Sequence, residues 1–226
     1  MNCDGGKGGA GVAQWLINQM PPHEVYIEPF LGGGAVMRLK RPACSSIGVE
    51  RDGGRVEQWR KISVPGLSVV CGDGISVLEN YDWHGGEFVY VDPPYPFSVR
   101  AGGAGGRRRI YRHELSDLDH HRLRLVLLKL PCMVMISSYW DRDLPSLFSS
   151  WRTSSFQTVK RSGERVTEFV WMNYPEPDRL HDYRFLGRNF RERERIHRRV
   201  QRWCRRLEKM PVLERRAVLS AIGEGR

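Results

Sequence analysis

The chain has 226 residues, a formal net charge of +10 at pH 7 and a pI near 9.7. Its length suits one α/β domain with a full core, and 40% hydrophobic with 27% charged residues is an ordinary balance for a soluble globular protein. The basic surplus favours a polyanionic partner. That partner is either nucleic acid or an acidic membrane face, and a bilayer crossing is excluded because the best span candidate, residues 123–136, is broken by Arg124, Lys129 and Pro131.

Taken in chain order, the periodicity predicts a helix over 12–20, a strand over 24–27, a helix over 35–39 and a strand over 46–49. A helix over 54–61, a strand over 67–71, a helix over 75–81 and a strand over 88–91 follow. Next comes a helix over 116–130, which Ser116 can cap and whose first turn carries Asp117 and Asp119. A strand over 132–137 and two more over 153–160 and 166–172 complete the series. Continuous apolar strands alternating with helices imply a mostly parallel sheet covered on both faces. The last two strands are separated by Arg161-Ser162-Gly163-Glu164, so the sheet should end in an antiparallel hairpin. Residues 96–112 hold a glycine run and then Arg107-Arg108-Arg109, read as a mobile basic loop. After Tyr174-Pro175-Glu176-Pro177 the composition turns arginine-rich. Phe190, Ile196, Val200, Trp203 and Leu207 are spaced for helices there, giving a main domain over 1–175 and a basic helical tail over 176–226.

Two motifs carry chemistry, each just after a predicted strand. Glu28-Pro29-Phe30-Leu31-Gly32-Gly33-Gly34 can bring backbone close to a ligand at a strand-to-helix turn. In an open parallel sheet, ligands sit at the carboxyl ends of the strands. There Glu50 is placed for the ribose hydroxyls of a nucleoside cofactor, and Asp73 for its adenine amine. Lys7, in Gly5-Gly6-Lys7-Gly8, offers a cation to a carboxylate or a phosphate. The spacing differs from the dinucleotide fingerprint, which disfavours a nicotinamide cofactor. The second motif, Asp92-Pro93-Pro94-Tyr95, makes a rigid, acceptor-rich edge. An aromatic amine is a poor nucleophile because its lone pair is delocalised. The Asp92 carboxylate and the Pro93 carbonyl can hold both of its N–H groups and draw the nitrogen toward tetrahedral geometry, while Tyr95 stacks on the base. Five scattered cysteines, Cys3, Cys44, Cys71, Cys132 and Cys204, show neither metal spacing nor an even number. The N-terminus, Met1-Asn2-Cys3-Asp4-Gly5, lacks a signal pattern, so a reduced, cytoplasmic, metal-free protein is expected.

Together these motifs resemble those of the adenine-specific DNA N6-methyltransferases, the class that includes Dam-type enzymes and many prophage methylases. Gly5-Gly6-Lys7 is similar to that family's N-terminal cofactor motif. Phe30, Gly32 and Gly34 match its Phe-x-Gly-x-Gly motif, Asp92 to Tyr95 its catalytic motif, and Thr167 to Asn173 its closing strand. The likeness covers roughly residues 5–175. It implies a class I, Rossmann-like methyltransferase fold with S-adenosylmethionine as methyl donor. On that reading Asp92, Pro93, Pro94 and Tyr95 are catalytic. Gly6, Lys7, Glu28, Pro29, Phe30, Gly32, Gly34, Glu50, Asp73 and Asp92 line the cofactor, with Lys7 near its carboxylate. Such enzymes act in bacteria or phage-infected cells, often within restriction-modification systems. The departure is the short stretch between Glu50 and Asp73, where Dam-type relatives carry a target-recognition insert. The expected DNA contacts are therefore Arg100, Arg107, Arg108, Arg109, Arg112 and His113, with tail arginines adding phosphate contacts. Specificity should be short or relaxed. Single-stranded DNA should be accepted, and an RNA acceptor or a non-catalytic nucleic-acid-binding role is the alternative.

Overall fold

The computed structural model describes residues 7, 11–96, 112–159 and 165–224. The chain divides into two compact units, residues 1–182 and 183–226.

The first unit is built on seven strands: β1 (Val25–Glu28), β2 (Ser45–Glu50), β3 (Leu67–Cys71), β4 (Glu87–Val91), β5 (Met133–Tyr139), β6 (Arg152–Val159) and β7 (Arg165–Met172). They lie in the order β3-β2-β1-β4-β5-β7-β6. The first five are parallel, while β7 runs antiparallel to both β5 and β6. This is the Rossmann-like sheet with an antiparallel terminal pair that the sequence predicts; the turn 160–164 lies outside the described residues. All five residues of β4 are buried, as expected of a central strand covered on both faces. The edge strand β6 instead alternates half-buried and exposed positions.

The helices follow from capping residues and apolar faces. They are α1 (Val12–Ile17), α2 (Ala35–Leu39), α3 (Gly53–Arg60), α4 (Gly74–Asn80), α5 (Asp117–Lys129) and α6 (Leu144–Leu147). Asp52 caps α3 by accepting from the Gly54 amide (2.9 Å), and Asp73 caps α4 by accepting from Ser76 (3.2 Å). Ser116 and Asp119 form a reciprocal capping box on α5. Ile75 and Leu78 of α4 and Leu123 and Leu127 of α5 pack against Ile27, Val89, Val91, Val134 and Trp171 of the sheet. Tyr26 and Phe88, one position out of step with those strand residues, take the opposite face, where their rings stack.

Two differences from the sequence reading matter. β5 runs on to Tyr139 instead of stopping at Ser137, because Ser138 and Tyr139 find partners in Phe169 and Glu168 of β7. The first unit also runs past residue 175. His181 stacks on His23 with ring centroids 3.8 Å apart, its amide donates to the Met20 carbonyl, and Asp182 accepts from the Arg41 amide (2.8 Å).

The second unit contains α7 (Phe190–Lys209), capped by Asn189, and α8 (Val212–Glu224), separated from it by Met210 and Pro211.

Candidate active site

The order β2-β1-β4-β5 reverses direction of growth between β1 and β4, and that switch point opens a crevice at the carboxyl ends of the two strands. Glu28 is the last residue of β1, and the loop after β4 starts at Asp92. Both line one cavity, together with Glu50, the last residue of β2, and Asp73 after β3.

The glycine loop is fixed by close packing. Gly32 and Gly34 sit at φ +48° and +54°, in the left-handed region. A Cβ on Gly34 would lie 2.4 Å from the Trp59 ring, whose Nε1 donates to the Gly32 carbonyl (2.9 Å). The Leu31 amide donates to the Val49 carbonyl (2.8 Å), tying the loop to β2. Pro29, Phe30, Gly32 and Gly34 all border the cavity.

Glu28 is 3% exposed, and burial pushes its carboxyl pKa up to about 8. The nearby Asp92 charge adds to that, while the hydrogen bond from Tyr26 and the Lys40 ammonium oppose it. Tyr26 Oη donates to Glu28 Oε1 (2.7 Å), and Glu28 Oε2 is buried with no partner among the described residues. Glu50 Oε1 accepts from the Asp52 amide (2.9 Å). Asp73 Oδ2 accepts from the Ser76 hydroxyl (2.8 Å) and lies 3.7 Å from Arg122, which also holds Glu79.

Asp92 is held from three sides. Its Oδ1 accepts from Tyr95 Oη (2.8 Å) and Ser137 Oγ (3.2 Å) and lies 3.0 Å from Lys7 Nζ. Lys7 also pairs with Glu168 of β7, and Tyr95 Oη contacts both Lys7 and Glu168. Burial lowers the Lys7 pKa, with Asp92 opposing the shift. Pro93 and Pro94 line the cavity, whereas Tyr95 lies behind them, 5% exposed, its ring edge-on to Tyr139 at 4.6 Å.

Of the expected nucleic-acid contacts, Arg112 and His113 border this same cavity, and Arg112 donates to Asp52 Oδ2 (2.9 Å). Gly6, Arg100, Arg107, Arg108 and Arg109 lie outside the described residues. The structure adds residues the sequence reading did not single out for the site: Glu168, Ser137, Arg122, Arg55 and Trp59. Only Glu168 left a trace, as a lone acid inside the apolar run of β7. Among the described residues no group of His, Cys, Asp and Glu could hold a metal ion. No described helix is long and apolar enough to cross a membrane.

No family model matches the sequence, and no curated protein matches it. Among solved structures the chain is similar to the 23S rRNA methyltransferase ErmE, at 13% identity over 85% of this chain and 75% of that one, with a TM-score of 0.49. It is similar to the O-methyltransferase TomG from Streptomyces achromogenes, in complex with SAM, at 14% identity over 71% and 77% of the two chains and a TM-score of 0.45. It is also similar to a dimethyladenosine transferase from Plasmodium falciparum, at 12% identity over 71% and 60% of the two chains and a TM-score of 0.41. At such identities the likeness concerns the fold alone.

Proposed function

We propose that the chain is an S-adenosylmethionine-dependent methyltransferase that modifies the N6 amine of adenine in DNA, at short or relaxed sequences. The observation that carries this reading is the meeting of the Glu28 and Asp92 motif loops in one cavity lined also by Glu50 and Asp73. A cavity lined by five carboxylates, Glu28, Glu50, Asp52, Asp73 and Asp92, offers acceptors to a ligand with a sulfonium, an ammonium, ribose hydroxyls and an exocyclic amine. The buried Oε2 of Glu28 has no hydrogen-bond partner among the described residues, and the cofactor's ammonium would supply one as the carboxyl ionises. Glu50 takes the ribose hydroxyls and Asp73 the adenine amine.

Bound in this cavity, the cofactor supplies an electrophilic methyl group. Asp92 Oδ1 is committed to Tyr95, Ser137 and Lys7, which leaves Oδ2 to accept one N–H of the target amine. The Pro93 carbonyl accepts the other. Together they localise the nitrogen lone pair, and they gain strength as the amine becomes positive in the transition state. Lys7, placed by the resemblance near the cofactor's carboxylate, is paired with two carboxylates, and its proposed role is to hold Asp92 in place. Tyr95, expected from the sequence to stack on the base, lies behind Pro93 and Pro94 and instead braces the motif, its hydroxyl contacting Asp92 and Glu168. The target adenine must leave its stack to reach these groups.

An RNA acceptor is the second reading. The observation favouring it is that α3 and β3 are the only regular elements between Glu50 and Asp73, so no separate DNA-reading module stands there. The experiment incubates purified protein and S-adenosylmethionine with duplex DNA, single-stranded DNA and RNA, then identifies modified nucleosides by mass spectrometry. N6-methylated deoxyadenosine is the expected product. Methylation of adenosine in RNA alone would move the reading to the second acceptor. Absence of cofactor binding by calorimetry would overturn both.

A further inference from the structure

α7 is a 20-residue helix with nine Arg and Lys and three Glu. Its cations are ordered. Arg191, Arg195, Arg198, Arg202, Arg205 and Lys209 recur every three or four residues, which places them in one row along the helix. At ~1.5 Å per residue the row is about 27 Å long. All six side chains are exposed. Arg195 pairs with Glu192 and Arg198 with Glu194, whereas Arg191, Arg202, Arg205 and Lys209 have no acidic partner among the described residues. Gln201, the helix's one side-chain amide, is paired with His197 (2.7 Å).

We infer that this row is a docking surface for the phosphate backbone of a nucleic acid. A line of guanidinium groups offers repeated bidentate donors at a spacing that a helical turn sets, and a nucleic-acid strand offers a matching line of negative charge. Contacts from such a row to phosphates fix position and carry no sequence information, so binding through it should vary little with sequence. An anionic membrane is the competing polyanion, and the geometry disfavours it. The apolar stripe of α7 is Ile196, Val200, Trp203 and Leu207, of which Ile196 and Leu207 are half-buried. The cationic row lies away from this stripe, and the half-burial of Ile196 and Leu207 leaves the stripe partly covered, which weakens it as a membrane anchor. The inference concerns binding alone and stands apart from the methyl-transfer reading.

The test measures binding of the full chain, without cofactor, to labelled duplex DNA, single-stranded DNA and an RNA hairpin across a salt series. The variants are Arg191→Ala/Arg202→Ala/Arg205→Ala and the matching triple lysine variant, with circular dichroism to check helix content. Loss of three phosphate contacts should flatten the log–log salt slope by about 2.7 for duplex DNA and about 2.1 for a single strand. Affinity should fall alike for unrelated sequences, and the lysine variant should keep most of the slope. The three arms show which nucleic acid the row prefers. The inference is overturned if the alanine variant keeps the parent slope on every nucleic acid, or if the parent binds none of them at low salt. It is also overturned if the substitutions abolish only binding to vesicles containing phosphatidylserine.

Discussion

Asp92 and Glu28 are both carboxylates at strand ends, and their surroundings set them to different tasks. Asp92 has a cation and two hydroxyls around one oxygen. Asp92→Ala should therefore leave the fold intact and cut methyl transfer roughly a hundredfold or more, the usual scale for a lost transition-state hydrogen bond. Near-parent turnover at saturating cofactor would remove Asp92 from the mechanism. Glu28 is protonated in the free protein below its pKa of about 8. A cation arriving beside it favours the ionised form, so cofactor binding near pH 7 should release close to one proton, fading above pH 8 where the carboxyl is already ionised. Calorimetry in buffers of different ionisation heat reads this number directly, and Glu28→Gln should bring it to zero. The same shift has a sign for stability. A pKa raised from 4.5 to about 8 costs stability progressively as pH rises through that window, so Glu28→Gln should unfold at higher temperature than the parent at pH 8 and converge with it toward pH 4.5. At this scale the sequence singled out Glu28 and Asp92 by their motifs and Glu50 and Asp73 by their strand ends, and all four line one cavity. The sequence was opaque for Ser137 and Glu168, whose parts depend on strand register: the antiparallel pairing of Ser138 and Tyr139 with β7 brings Glu168 to the site, and periodicity carries no register between distant strands.

Among the elements, the junction of the β1 loop with α4 is the tightest. Gly74 begins α4, and a Cβ there would lie 2.0 Å from the Pro29 carbonyl oxygen, a backbone atom that no rotamer can move. Gly74→Ala should destabilise by about 1–3 kcal/mol and weaken cofactor binding at least tenfold, because relief requires shifting the loop that lines the cavity. Gly53→Ala is the internal control. It also sits at the first position of a helix, nothing lies within 4 Å of the added Cβ, and it should leave both properties unchanged. Thermal unfolding and titration with S-adenosylmethionine compare the two. Equal behaviour of the two variants would show that the contact is not limiting. Element type and order were readable because the apolar periods were clean. The misjudged ends have local causes: α1 stops at Ile17 instead of continuing to Met20, with Pro21 and Pro22 ahead, and β5 is prolonged by a partner strand.

At the scale of the whole molecule, the missing insert shapes the expected selectivity. With only α3 and β3 between Glu50 and Asp73, the proposed enzyme depends on groups around the pocket and on phosphate contacts. Mapping methylated adenines on a plasmid over a range of enzyme doses should show short or relaxed contexts that broaden as dose rises. Modification confined to one motif of four or more bases at high dose would require a true base reader that this reading lacks. The boundary of the first unit was the least legible feature at this scale. Composition changes near residue 175, but the His23–His181 stack and the Asp182 contact to Arg41 are made by residues beyond that change.

The Lys7–Glu168 pair joins residues 161 positions apart, one near the start of the chain and the other in β7. During synthesis the ribosome delivers Lys7, the glycine loop and Asp92 well before Glu168. A nascent chain halted after β5 would hold Lys7, the glycine loop and the Asp92 motif and still lack the carboxylate that contacts Lys7 and Tyr95. The pocket is thus completed at the end of the first unit's translation. Chains truncated before residue 168 should gain no turnover from a separately supplied donor or acceptor, whereas adding a β7 peptide in trans offers a way to restore it.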